Sequence, residues 1–497
     1  MQKKSNPEYF TSRLALVLSV LGIAIGTGNI WRFPRIIAQN GGGSFLIPWI
    51  IFLFTWSIPL IIIEFGIGKS TRKGTAGAFG KLIGKKYLWM GAFVGFCTMA
   101  IMFYYSVVMG WCLKYLVAVV SGNLHSLNHE LYWNSFTGSS YQPVFFHLIC
   151  MVIAVAITYR GIASGIEKAN YVLIPALFLI MTFAAVKVLS LPGSREGVRF
   201  LFIPHLKDLL HYRIWLEALS QSAWSTGAGW GLILTYAVYM RRKENIVVNS
   251  VITGVGDSVA SILAAVSIIP IVFTILPREQ ALEVMASGNT GLTFIWIPRL
   301  FEKVVGGNIL LPLFFLTLCF AALSSLIAMV EMVTRIFMDA GIKRKNSVLM
   351  VGMMGFLFGI PSAVKIDFFN NQDWTWGLGL LVNGIFFTFA VIKFGTSRFR
   401  RELINSDKNT INLGKWFEYI ILLVIPLEFV CVLGWWFWQS ATVLDPQGWW
   451  NPLHTTSIGT CILQWGAVIA FLLLLNRWMG KKMLNEDTDS PCEIQKI

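Results

Sequence analysis

Between Gly22 and Asn29 the chain reads Gly-Ile-Ala-Ile-Gly-Thr-Gly-Asn, and between Ser225 and Gly231 it reads Ser-Thr-Gly-Ala-Gly-Trp-Gly. Both stretches sit inside long apolar runs. A glycine in a helix interior costs about 1 kcal/mol relative to alanine, so clusters of them mark places where a helix opens. Open backbone offers carbonyl oxygens to a cation, and the N-terminal ends of half-helices attract an anionic group. One such stretch alone has a plainer reading, since Gly22 and Gly26 are four apart and suit close helix packing. Two interruptions five segments apart instead match inverted repeats with broken helices, which carry a transport site at the membrane midplane. Two carboxylates share this buried setting. Asp257 lies in an apolar run, where a charge is costly unless paired and marks an ion path; Glu64 suits a structural role, accepting hydrogen bonds from unwound backbone. Ser324 and Ser325 offer two hydroxyls, which taken alone read as ordinary bonds back to a helix carbonyl.

The elements that must position these groups follow from composition. The chain has 497 residues, of which 56% are hydrophobic and 13% charged. A water-facing globular surface takes roughly 25% charge, so lipid must cover much of this one. The apolar runs are continuous rather than alternating, which predicts helices and not a barrel. The fold class is an all-α polytopic membrane protein with about twelve transmembrane segments. The predicted spans are 12–37, 44–69, 89–121, 143–160, 166–190, 214–240, 246–276, 308–339, 345–362, 374–394, 415–439 and 456–478, numbered here as segments 1 to 12. The stretch Leu292–Phe301 is amphipathic and too short to span, and reads as a helical loop or lid. Lys and Arg concentrate in alternate loops: Lys3, Lys4 and Arg13; Lys69 to Lys86; Arg241 to Lys243; Lys343 to Lys345; Arg398 to Arg401; Lys481 and Lys482. The intervening loops 122–142 and 440–455 carry none; Arg195, Arg199, Arg213 and Arg278 fall on that side in longer loops, where the bias is weaker, so both termini are expected in the cytoplasm. The net charge of +15 is thereby a topology signal, not a nucleic-acid groove. The seven cysteines lie mostly in apolar stretches, with Cys492 in the tail, and read as small buried hydrophobes.

On these residues the sequence resembles the neurotransmitter:sodium symporter family, especially its bacterial amino-acid transporters. The likeness runs through Gly22 to Pro34, Asn40 to Pro48, Gln221 to Tyr239 and Phe320 to Ser325, and helix count and spacing agree over nearly the whole chain. It implies two inverted five-helix repeats, helices 1–5 (residues 12–190) and 6–10 (191–394), with helices 1 and 6 broken. Two peripheral helices follow in 395–480, with residues 1–11 and 481–497 as cytoplasmic ends. It also implies two sodium sites. The first would use the Ala24 carbonyl, the Asn29 amide oxygen, the Ser225 hydroxyl and a group from segment 7. The second would use the carbonyls of Gly22, Ile25 and Ala321 with the hydroxyls of Ser324 and Ser325. In segment 7, Asp257 either takes the family's asparagine position or stands beside it, depending on a one-residue shift in alignment. As a direct or near ligand it would supply a fixed negative charge and make transport chloride-independent; Ser261 as a chloride ligand stays open.

For substrate, the resemblance makes Gly26 informative. Amine carriers have aspartate there, whereas glycine leaves room for the substrate's own carboxylate, which would meet the first sodium and Tyr105. Backbone at Ala24, Thr27 and Gly28 would complete that end. Ile101, Trp224, Ser225, Gly227, Trp230, Ser325 and Met329 would line the side-chain pocket, which suits a hydrophobic or aromatic amino acid. Two tryptophans also suit a methylated ammonium, so betaine-like substrates stay open, as do a non-transporting sensor and a proton-coupled exchanger using Asp257 or Glu64. Arg32 with Asp373 is the expected outer gate, and Tyr239 with Asp339 the inner one. The arginine that completes the family's inner gate is absent, Pro7 standing in its place, with Lys3, Lys4 or Arg13 as substitutes. No phosphate loop, metal cluster or paired nucleophile and base points to an enzyme. The expected setting is a prokaryotic plasma membrane, with lipid as the surrounding partner and the oligomeric state open.

Overall fold

A computed structural model describes residues 8–124, 128–139, 141–405 and 411–484; Lys3, Lys4, Pro7 and Cys492 lie outside them. Ten continuous helices among these residues are long and apolar enough to cross a membrane. An eleventh span is the pair Arg13–Ala24 and Gly28–Gln39, bent by 52°. The remaining segment is the sixth, split into Tyr212–Ser225 and Leu232–Val238, each half too short to cross alone. No strand occurs among the described residues.

Local chemistry fixes the ends of these helices. Ser12 caps segment 1, its hydroxyl accepting from the Ala15 amide at 3.0 Å. Asn245 does the same for Val248 at the start of segment 7 (Ile246–Ile275), also at 3.0 Å. The break in segment 6 has a backbone cause. Gly227, Gly229 and Gly231 adopt φ of +69°, +84° and +78°, a region that side-chain-bearing residues rarely enter. Three such residues in five positions cannot continue a right-handed helix.

The broken segment is then clamped from segment 2 (Gly43–Thr71). Glu64, fully buried, accepts from the amides of Gly229 at 2.7 Å and Leu234 at 2.9 Å. One carboxylate thus ties the opened stretch to the second half of segment 6, accepting from unwound backbone as expected from sequence. Close approach is possible because Gly68 lacks a side chain; a Cβ there would stand 2.3 Å from the Leu234 carbonyl. Burial separates core from periphery. The most apolar stretch of segment 3 (Lys85–Val120) is 78% buried, against 28% in segment 11 (Trp416–Leu444) and 17% in segment 12 (Ile458–Met483).

Three boundaries differ from the sequence reading. Segment 10 runs over Ile366–Phe394, starting eight residues before position 374. Its first turns carry Asp367, Asn370, Asn371 and Asp373, which end a hydropathy run although the helix continues. The expected short element Leu292–Phe301 belongs to a longer helical stretch from Gly288 to Phe301, preceded by a helix at Arg278–Met285. An amphipathic helix at Ser194–Phe202 precedes segment 6.

If Glu64 is the clamp, Glu64→Ala leaves two buried amides without acceptors. The expected loss is about 3 kcal/mol of stability, read as a lowered melting temperature in detergent. Glu64→Gln, which keeps one acceptor oxygen, should lose less.

Candidate functional site

Where segments 1 and 6 break, they face each other across a cavity of about 330 Å³. It reaches from Ala24 and Ser225 at the breaks to the loop residues Gly288, Asn289 and Thr290, so it opens away from the lysine- and arginine-rich face. Every residue expected at the substrate site lines it: Ala24, Gly26, Thr27, Gly28, Ile101, Tyr105, Trp224, Ser225, Gly227, Trp230, Ser325 and Met329. Arg32 and Asp373 line its upper part, with Gln221, Phe369 and Asn370, which the sequence reading missed.

Gly26 is tightly enclosed. A Cβ at this position would lie 3.2 Å from the Tyr105 hydroxyl and 3.3 Å from the Ser325 hydroxyl. The Tyr105 oxygen accepts from the Thr27 amide at 3.2 Å, which ties segment 3 to the break in segment 1. The Thr27 hydroxyl also lies 3.4 Å from this oxygen. The indole nitrogens of Trp224 and Trp230 and Oε1 of Gln221 are buried without partners. Polar capacity therefore lies unspent around a mostly apolar space, the usual make-up of a ligand pocket.

Beside the cavity, Asn29, Ser225, Asp257 and Ser261 form one buried cluster. Asn29 Nδ2 donates to Asp257 Oδ1 at 2.6 Å, to Ser261 Oγ at 2.9 Å and to Ser225 Oγ at 3.1 Å. The Ser225 hydroxyl also lies 3.1 and 3.0 Å from the two Asp257 oxygens. Asp257 itself, rather than a neighbour one residue away, reaches Asn29 and Ser225. Ser261 lies one turn further along the same face of segment 7. The Asn29 end facing the carboxylate is the amide nitrogen, not the oxygen expected; Oδ1 accepts from the Gly26 amide at 2.9 Å. Three acceptor groups draw the NH₂ end, while the Gly26 amide holds the oxygen. The cluster therefore presents carboxylate and hydroxyl oxygens, which suit a hard cation.

A second group of oxygens lies where segment 1 meets segment 8 (Gly307–Asp339). The Ser325 hydroxyl donates to the Gly22 carbonyl at 3.3 Å, and Ser324 bonds back to the Ala321 carbonyl at 3.0 Å. Ile25 closes the first half of segment 1. Of the nine expected sodium ligands, Gly22, Ala321, Ser324 and Ser325 come together here, next to Ile25; Ala24, Asn29, Ser225 and Asp257 adjoin the first cluster.

The two ends of the molecule differ. At the cavity mouth, Arg32 and Asp373 form no ion pair. The guanidinium of Arg32 lies 3.8 Å from the centre of the Trp224 ring, and its Nε and Nη1 have no partner. Trp224 is held flat by Trp436 of segment 11, at 6.2 Å between ring centres.

At the basic end, the two expected gate residues Tyr239 and Asp339 do not bond each other directly, but Arg335 reaches both, its guanidinium 5.7 Å from the centre of the Tyr239 ring. Tyr239 donates to Glu331 Oε1 at 2.6 Å. Asp339 pairs with Arg335, four residues earlier, at 2.8 Å, and accepts from the Gly74 amide. The cation serving Glu331 is Arg344, from the start of segment 9 (Arg344–Val364), which forks onto both carboxylate oxygens. Arg344 also reaches Glu8 at 3.3 Å. The amino-terminal partner in this latch is therefore an acid, and the base sits on the helical body. Arg13, named as a substitute, points instead to Asn249 at 3.4 Å. Glu331 was missed although it is a lone carboxylate deep in segment 8, the same signal that singled out Asp257 and Glu64. Phe10 plugs the space below, packed on Tyr236 with 5.6 Å between ring centres, its amide bonded to the Tyr239 carbonyl at 3.1 Å.

Broken helices 1 and 6 around a midplane cavity, with two groups of oxygens beside it, define a secondary transporter. The chain belongs to the sodium:neurotransmitter symporter family, whose model matches residues 7–143 and 138–481. It is a sodium-dependent symporter by class, with that family's inverted repeats and two peripheral helices. It is 30% identical over 452 residues to the uncharacterized sodium-dependent transporter YhdH of Bacillus subtilis, covering 86% of this chain and 97% of YhdH. Over 448 residues it is likewise 30% identical to the uncharacterized sodium-dependent transporter MJ1319 of Methanocaldococcus jannaschii, covering 86% and 89%. Among solved structures it is similar to MhsT in complex with L-phenylalanine. That match has a TM-score of 0.75 and 28% identity, covering 86% of this chain and 99% of MhsT.

The Glu331–Arg344 pair is buried, and removing one partner strands the other. Arg344→Ala is expected to destabilise the protein by about 3–5 kcal/mol and to expose the basic end to protease in the region of Phe10. Glu331→Gln should cost less, because Arg344 keeps Glu8 as a counter-charge. Equal melting temperatures for wild type and Arg344→Ala would remove the latch.

Proposed function

We propose that the protein imports a hydrophobic or aromatic amino acid together with sodium, by alternating access. The observation that carries this reading is the contact between the Asn29–Ser225–Asp257 cluster and the cavity end formed by Gly26 and Tyr105. A substrate carboxylate placed beside Gly26 would meet the Tyr105 hydroxyl and a cation held by the cluster at once. Each would then raise the other's affinity, which is the thermodynamic content of coupling. With no side chain at Gly26, and the Tyr105 and Ser325 hydroxyls close around it, a substrate that brings its own carboxylate is favoured. The apolar floor of Ile101, Met329 and the tryptophans favours a hydrophobic side chain. The phenylalanine bound to MhsT is in keeping with this.

Two sodium ions fit the two groups of oxygens, the second between segments 1 and 8. Chloride is not required in this reading, because Asp257 already supplies a fixed negative charge where an anion would otherwise sit, and a chloride at Ser261 would face that carboxylate. The basic loops lie in the cytoplasm, with both termini, in a prokaryotic plasma membrane. With the basic end latched through Arg344 and the Arg32–Asp373 pair unmade, the cavity is accessible from outside. Substrate and sodium binding would draw segments 1 and 6 together, bring Arg32 off Trp224 to Asp373, and close the mouth. Release inward would require the Glu8–Arg344–Glu331 latch to part.

The test is uptake of radiolabelled phenylalanine, leucine and tryptophan into proteoliposomes. An inward sodium gradient at fixed pH should drive accumulation, equally in chloride and in gluconate. Asp257→Asn should lower the apparent sodium affinity by about tenfold or more. Chloride-stimulated uptake by the wild type would contradict the role given to Asp257; uptake driven by a proton gradient without sodium would contradict the coupling ion.

A further inference from the structure

Segment 5 (Ile162–Leu189) passes behind the second group of oxygens and contributes Asn170, which is fully buried. The amide is fixed in orientation. Its Nδ2 donates to the Ile166 carbonyl one turn earlier at 3.1 Å, which turns Oδ1 the other way. That oxygen has no hydrogen-bond partner. It lies directly over Gly22: a Cβ built on Gly22 would stand 2.7 Å from Asn170 Oδ1 and 3.1 Å from the Ser324 Cβ. The unspent oxygen therefore packs against Gly22, whose carbonyl accepts from Ser325, and beside the side chain of Ser324.

A buried amide oxygen without a donor loses the free energy of one hydrogen bond, about 1–3 kcal/mol. Asn170 has no donor to serve nearby, since Ser325 donates to the Gly22 carbonyl and Ser324 to that of Ala321. Gly22 also lacks the side chain that would cover the oxygen. What suits an unpaired acceptor beside Gly22, Ser324 and Ser325, whose oxygens form the second group, is a cation. Resting on the sodium reading above, we propose that Asn170 Oδ1 is a further ligand of the second sodium ion, contributed by segment 5. The ion then joins three helices rather than two. Segment 5 becomes sensitive to sodium occupancy, and loss of the ion would free it to move from segments 1 and 8.

The experiment is a sodium titration of thermal stability on the purified full-length protein without substrate, at constant ionic strength with potassium replacing sodium. The readout is the sodium concentration giving half the stabilisation. Asn170→Leu removes the oxygen and is expected to raise that concentration by about tenfold, as Ser324→Ala should. Asn170→Asp keeps an oxygen in place, adds charge and loses the bond to Ile166. It should hold or lower the half-effect concentration, although its stability in potassium falls. Asn170→Asp weakened as much as Asn170→Leu would make Asn170 a structural residue and overturn the proposal. So would a wild-type sodium response in Asn170→Leu. A wild type that sodium stabilises no better than potassium would overturn the sodium reading itself, and the proposal with it.

Discussion

In the hydrocarbon core no water is present to satisfy an opened helix, so each free backbone amide needs a partner from the protein. The structure depends on how that constraint is met at two places. In segment 6 the glycines at 227, 229 and 231 open the helix, and Glu64 takes up amides within the gap and just beyond it. In segment 1 the break is held by side chains, with Asn29 accepting from Gly26 and Tyr105 from Thr27. The groups that stabilise the breaks are thus partly the ones that face the cavity. A rearrangement at either break is felt by the binding site, which is what a carrier requires of its moving parts.

The two ends use charge differently. At the basic end, Arg344 is shared between Glu331 and Glu8, and Tyr239 adds a hydrogen bond to Glu331. This network is compact and buried around Glu331 and Tyr239, with Glu8 at its exposed edge, and costly when a buried member is lost. At the cavity mouth, Arg32 rests on the face of Trp224 with part of its guanidinium unpartnered. Such an arrangement stores unsatisfied donors beside a carboxylate, Asp373, that lines the same cavity. The asymmetry favours a cavity open at one end and shut at the other.

Much of the centre was legible in the sequence because its signals are exceptions to membrane rules. Glycine clusters in apolar runs marked both breaks, and lone carboxylates marked Glu64 and Asp257. The location of Asp257 relative to Asn29 was not legible, since one residue of shift in segment 7 moves a side chain by 100° around the helix. The latch at the basic end was misread for a different reason. Its partners come from residues 8, 239, 331 and 344, on four separate segments, and no local spacing joins them. The family pattern supplied Tyr239 and Asp339 instead, which the structure joins only through Arg335. The start of segment 10 was set too late because polar residues that face a cavity look, in hydropathy, like the end of a span.

The most direct measurement is the binding isotherm of an aromatic amino acid to the purified protein, by calorimetry, in sodium and again in potassium. The account predicts saturable binding in sodium and a dissociation constant weaker by about 5-fold to 150-fold in potassium, the usual range of coupling between two sites. Binding of equal strength in both salts would contradict a shared site for the substrate carboxylate and the ion at Asn29, Ser225 and Asp257.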